Sequence, residues 1–153
     1  MPAPVLTHAP TRVPIRTRIR TMATLVIALL RASTAGAAMA GKKEALLEKN
    51  KYAYSAAIRW GDFEGAWNLV DPKARAEHPL TDIDFSRYKQ VQISGYRDLG
   101  GTVTPEGVVM REIEIGVINR NTLTERSVRY RERWRYDEAA QTWWLVSGLP
   151  DLW

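Results

Sequence analysis

The chain has 153 residues and a formal net charge of +5, which allows one domain and a leader. The excess charge sits in the leader: Arg12, Arg16, Arg18, Arg20 and Arg31 lie in the first forty residues with no acidic residue among them, so the remaining 17 Lys and Arg meet 17 Asp and Glu. The basic balance is therefore no sign of nucleic-acid binding, and the absence of cysteine excludes disulfides, thiolate zinc sites and cysteine nucleophiles.

Residues 1–40 read as a leader and 41–153 as a single domain. Met1 to Arg20 is rich in Pro, Thr and Arg without apolar periodicity, the composition of a disordered segment. Met22 to Leu30 is a short apolar run, and Ala38-Met39-Ala40 has the small-x-small form of a cleavage site. Together these predict a signal peptide cut after Ala40 and a periplasmic or secreted product. The run is shorter than the roughly twenty residues that span a bilayer, so no membrane span is expected in the mature domain.

Lys43 to Trp60 carries strong helix formers. Leu47, Tyr54 and Ile58 share one face, with Leu46, Ala53, Ala57 and Trp60 beside it. Gly61 suits the left-handed position that ends a helix, and Asp62 suits the cap of the next, Phe63 to Val70. Trp60 and Trp67 read as core. Asp71-Pro72 stops that helix, and Lys73 to Asp84 reads as a loop with at most one helical turn. His78 with Asp82 and Asp84 has residue types for a general base or half a metal site, but no ligand spacing supports either. No cofactor or metal is indicated.

Tyr88 to Arg97 reads as a strand in which a bulge at Gly95 turns Tyr96 onto the face of Val91 and Ile93, and Leu99 to Pro105 as a turn region. Val108 to Ile118 and Thr124 to Tyr136 are strands of period two. In the second, Val128, Tyr130, Glu132, Trp134 and Tyr136 alternate with Arg129, Arg131, Arg133 and Arg135. A register in which paired numbers sum to 243 puts Ile113 opposite Tyr130 and Val109 opposite Trp134 on one face, and Glu112 opposite Arg131 and Glu114 opposite Arg129 on the other. It also sets Arg111 opposite Glu132 on the apolar face. A last strand from Thr142 to Ser147, paired at 279, turns Trp143 and Leu145 inward and leaves Trp144 between Arg133 and Arg135 for cation–π contact. The fold class is α+β: N-terminal helices packed on a curved, cone-like antiparallel sheet.

A long helix, the Trp60-Gly61-Asp62-Phe63 break, a second helix ending at Asp71-Pro72 and then a meander resemble the nuclear transport factor 2-like, or cystatin-like, superfamily over residues 43–148. The chain is also similar to small bacterial envelope lipoproteins of that fold, though it lacks their lipobox cysteine. The resemblance implies a cone whose interior holds a ligand or an active site. No catalytic residue of the fold's enzymes, such as ketosteroid isomerase or scytalone dehydratase, transfers position by position. Three functions follow. The first is an exported, non-enzymatic domain binding a small ligand or an envelope protein, with Arg111, Glu132, Tyr130 and Trp134 as candidate ligand-binding residues. The second is a cone-pocket isomerase or hydratase using Glu132 or His78. The third is a structural module forming a homodimer through its sheet.

Overall fold

The computed structural model describes the backbone of residues 16–153 and side chains from residue 38 onward. Residues 1–15, most of the segment expected to be disordered, lie outside it, as do the side chains of the apolar leader run. The chain divides into two compact units, Met1–Gly41 and Lys42–Trp153. The first helix, α1, runs Arg16–Trp60, so residues 16–20 are helical rather than irregular. Among the described residues no helix is long and apolar enough to cross a membrane.

Within the second unit the elements are α1 to its end at Trp60, α2 (Phe63–Trp67), α3 (Pro72–Glu77), α4 (Asp82–Tyr88), β1 (Val91–Val103), β2 (Val109–Asn119), β3 (Glu125–Asp137) and β4 (Thr142–Leu145). The strands form one antiparallel sheet in the order β1-β2-β3-β4. This is an α+β fold with an open sheet. Leu47, Tyr54 and Ile58 of α1 are buried against Ile113, Ile115 and Val117 of β2 and Trp134 of β3. Tyr54 meets Trp134 edge to face, with centroids 5.8 Å apart.

The expected register is observed at every position proposed. Ile113 pairs with Tyr130, Val109 with Trp134, Glu112 with Arg131, Glu114 with Arg129 and Arg111 with Glu132. The last hairpin pairs Trp134 with Leu145 and Arg135 with Trp144. On the outer face Arg131 binds Glu112 at 2.5 Å, whereas Glu114 takes Arg97 of β1 at 2.5 Å rather than Arg129. Both bridges are largely exposed and serve register more than stability.

The break after α1 forms as read. Gly61 adopts φ 73, and the Asp62 carboxylate accepts from Gly65 N at 2.8 Å to cap α2. Four other readings are corrected. Trp60 is 87% exposed because it lies two residues, about 200° of helical rotation, past Ile58 on the buried face. Residues 73–84 are not mainly loop. Asp71 caps α3, with Pro72 in the first turn, where the missing N–H costs nothing, and a Thr81–Asp84 capping box starts α4. That helix takes Tyr88, so β1 begins at Val91 and continues through Leu99-Gly100-Gly101 to Val103. A second register shift between Asp98 and Gly100 absorbs the glycines. Trp144 makes no cation–π contact; among the described residues the stacked cations are Lys43 on Tyr136, Arg59 on Tyr96 and Arg87 on Trp153.

Residues 69–71 lie along β4: Leu145 N donates to Leu69 O at 3.0 Å and Asp71 N to Leu145 O at 2.8 Å. A short edge strand is thereby covered. Asn50, buried on α1, donates to Trp143 O at 2.9 Å from the other side.

Trp134 is fully buried and Arg133 exposed. In denaturant melts Trp134→Ala should lose ~3–5 kcal/mol and Arg133→Ala roughly 0.5 kcal/mol or less. Equal losses would contradict the assignment of faces.

Candidate functional site

Strand periodicity puts Arg111, Ile113 and Ile115 of β2 and Tyr130, Glu132 and Trp134 of β3 on the face turned toward α1. An acid and a base on a core face require desolvation of both charges, and that is tolerated only with close pairing and further hydrogen bonds. Glu132 is 0% exposed and Arg111 8%. Their side chains meet at 3.1 Å, Arg111 Nη1 donating to Glu132 Oε2. The same oxygen accepts from Trp134 Nε1 at 2.8 Å, since residues i and i+2 of a strand point to one side. Glu132 Oε1 accepts from the Tyr96 hydroxyl. The bulge between Ile93 and Gly95 is what turns Tyr96 inward to make that bond.

Arg111 is held at both ends. Its Nε and Nη2 donate to Asp98 Oδ2 at 3.0 and 2.8 Å, while Asp98 Oδ1 accepts from Gly100 N at 2.8 Å. Partial burial would raise the Asp98 carboxyl, but the Gly100 amide and the Arg111 guanidinium outweigh it and hold it below the usual range. The second β1 irregularity thus places the carboxylate that completes the arginine's pairing.

A second polar line runs beside the first. Tyr54 Oη donates to Tyr130 Oη at 3.3 Å, and Tyr130 Oη donates to Gly148 O at 2.5 Å and lies 2.9 Å from Ser147 Oγ. Burial raises the phenol pKa of Tyr54, Tyr96 and Tyr130 above the ordinary value. At Tyr96 the charge of Glu132 adds to it.

The structure brings the four candidate residues, Arg111, Glu132, Tyr130 and Trp134, onto one face and links Glu132 directly to Arg111 and Trp134. Tyr96, Asp98 and Tyr54 complete the cluster and were not among the candidates. The signal for Tyr96 was present in the Gly95 bulge. Asp98 carried none, because its inward role depends on a shift inside a stretch that reads as a turn. His78 is exposed and caps the end of α3, and the Asp84 carboxylate is engaged by Thr81, so they do not converge on a site. Among the described residues no group of three or more His, Asp or Glu is placed to hold a metal ion.

Chemically, the cluster presents a carboxylate surrounded by three donors and shielded from solvent. A general base needs a lone pair within reach of a substrate proton, and both oxygens of the buried Glu132 already accept from protein groups. Glu132 lines none of the three larger hollows among the described residues, although Arg111 borders one of about 580 Å³ at the β1–β2 edge with Leu99, Gly101 and Met110. Another of about 530 Å³ lies at the end of the sheet between Arg87, Val91, Arg126 and Trp153, and the third lies beside Trp60 and Tyr96. No protein-family model matches the chain, and no curated protein or solved structure matches it.

Removing either partner of a buried pair strands the other, so Glu132→Gln and Arg111→Met should each lower stability by several kcal/mol, on the order of 3–5, in denaturant melts. Near-wild-type stability in both would mean that water reaches the pair. The tyrosines give a second test. Because Tyr54, Tyr88, Tyr96 and Tyr130 have pKa values raised by folding, their contribution is complete below the unfolded value of about 10 and falls as pH rises above it. Alkaline titration followed at the phenolate band should show these groups ionising together with loss of near-ultraviolet dichroism; smooth titration of all six tyrosines in a folded chain would contradict it.

Proposed function

We propose that this chain is an exported, non-enzymatic binding domain of the bacterial envelope, taking a small ligand or a partner protein, with the architecture of the nuclear transport factor 2-like superfamily. The observation that carries the reading is that donors of the fold engage both oxygens of the buried Glu132. The charged pair that interrupts the apolar face is spent inside the fold on Tyr96, Arg111, Trp134 and Asp98, which takes the acid–base group away from any substrate. A cone-pocket isomerase or hydratase needs that group free; a binding domain needs a rigid scaffold and a surface site.

Export is supported by the basic residues, the apolar run and the Ala38-Met39-Ala40 sequence, and by the division of the chain between Gly41 and Lys42, one residue beyond the expected cut. The covered edge of β4 and the bulged edge of β1 favour a sheet that does not extend by strand pairing, which weighs against the homodimer reading without bearing on contact through the sheet face.

Native mass spectrometry of the protein recovered from the cell envelope tests both halves. The expected result is a polypeptide beginning at Gly41, with a noncovalent companion released chemically unchanged. A full-length cytoplasmic product would overturn export, and a companion recovered as a reaction product would overturn the non-enzymatic reading.

A further inference from the structure

The inner face of β3 does not end with the core. Arg126 pairs with Val117 of β2, so it lies on the same side of the sheet as Val128, Tyr130 and Glu132. It sits where the apolar face runs out into solvent. Beyond it Thr124 and the turn after Asn119 form a rim, and the hollow of about 530 Å³ opens there, between this rim, the end of α4 and the chain's last residues. That volume is within the range of small-molecule sites.

The walls divide by chemistry. Val91 and Leu152 are buried, at 7% and 1% exposure, and give an apolar floor. Trp153 stands at the side, 47% exposed, its ring 4.8 Å from Tyr88; Tyr88 is in turn fixed by stacking on Phe63 at 4.4 Å and by donating to Pro150 O at 2.9 Å. Arg87 lies over the Trp153 ring at 5.6 Å. Among the described residues neither Arg87 nor Arg126 forms an ion pair, whereas Arg97, Arg111, Arg131 and Arg135 each do. The neighbouring acid that feels the Arg87 charge is Asp84, whose Oδ2 is held by Thr81. Two guanidinium groups with no carboxylate in ion-pair contact, over an apolar floor with an aromatic wall, match one class of molecule.

We propose that this hollow binds a small organic anion, its carboxylate or phosphate group held by Arg87 and Arg126 and its apolar or aromatic body laid on Trp153, Leu152 and Val91. The site rests on the reading of the chain as a binding domain and gives that reading a ligand class. Arginine's fork suits either head group, and Thr124 also lines the hollow. The floor rejects fully hydrated ions, because desolvating it is favourable only when apolar surface covers it.

The test uses the full chain labelled with ¹⁵N, reading the Trp153 indole resonance assigned through Trp153→Phe. Phenylacetate and phenyl phosphate should each move it saturably, and the tighter of the two identifies the preferred head group. Benzyl alcohol, which lacks the charge, and inorganic phosphate, which lacks the body, should bind at least about tenfold more weakly. Arg126→Gln and Arg87→Gln should each weaken phenyl phosphate by about tenfold or more with unchanged melting, since both side chains are exposed. Arg133→Gln, on the opposite face, should bind as wild type. Equal binding of benzyl alcohol, retention of affinity in both arginine variants, or no response to any probe at millimolar concentration would overturn the site while leaving the binding-domain reading to its own test. Conversion of a bound probe, seen as new product signals, would support the site and overturn the non-enzymatic reading.

Discussion

A carboxylate at position 132 is forced inward by its strand. Its neighbours Tyr130 and Trp134 must face the core, and the period of two leaves Glu132 no other side. Once buried it needs a counter-charge and donors, because an unpaired carboxylate in that setting costs a large share of a domain's margin of stability. Arg111 meets this need only if β2 and β3 pair in one register. A slip of one residue would set Glu132 against Met110 or Glu112 and turn each apolar face outward. Tyr96 meets it only if β1 is bulged, and Trp134 only if its indole edge turns back along the strand. The pair is thus weak evidence of net stabilisation but a strong selector of register, bulge and rotamer.

The same constraint organises the middle of the molecule. With Tyr54 of α1 packed on Trp134 and hydrogen-bonded to Tyr130, the space between α1 and this part of the sheet is occupied by the domain's own aromatic side chains. One open volume lies at the end of the sheet, beyond Val117 and Arg126, and another at the β1–β2 edge beside Arg111. Closed centre and open rim divide the inner face between holding the fold and offering a surface to other molecules. Asp71 illustrates the economy of the connections: one residue caps α3, binds Arg135 of β3 and hydrogen-bonds to β4. Partial burial would raise its carboxyl, yet the Lys73 amide and Arg135 hold it below the ordinary range.

Much of this was legible in residue order because strand pairing is a rule of alternation. The 243 register followed from requiring Ile113, Tyr130, Glu112 and Arg131 each to find a suitable partner, and it placed Arg111 against Glu132 without any structure. Gly95 announced the bulge that delivers Tyr96. What stayed hidden depended on chain geometry beyond local pattern. Asp98 reads as part of a turn because Gly100-Gly101 follows it, yet the strand passes through by a register shift. Trp60 reads as core by composition, although the helical angle from Ile58 puts it outside. Arg126 follows the inward parity of β3, but its freedom from a carboxylate could be seen only once the exposed acids had been placed around it. Residues Thr81 to Asp84 carried a capping box in plain view, and a polar composition with Pro79 masked it.

Exclusion of solvent from Glu132 is the condition on which the closed centre stands. The direct measure is hydrogen exchange of the Trp134 indole Nε1–H, which donates to Glu132 Oε2 at 2.8 Å, read against the indole of Trp60, which is 87% exposed. If the centre is closed, the Trp134 proton exchanges only through global unfolding, with a protection free energy equal to that from denaturant melts. Exchange of Trp134 on the timescale of Trp60, in a chain that remains folded, would show an open cavity around the pair and contradict the closed centre on which the functional reading depends.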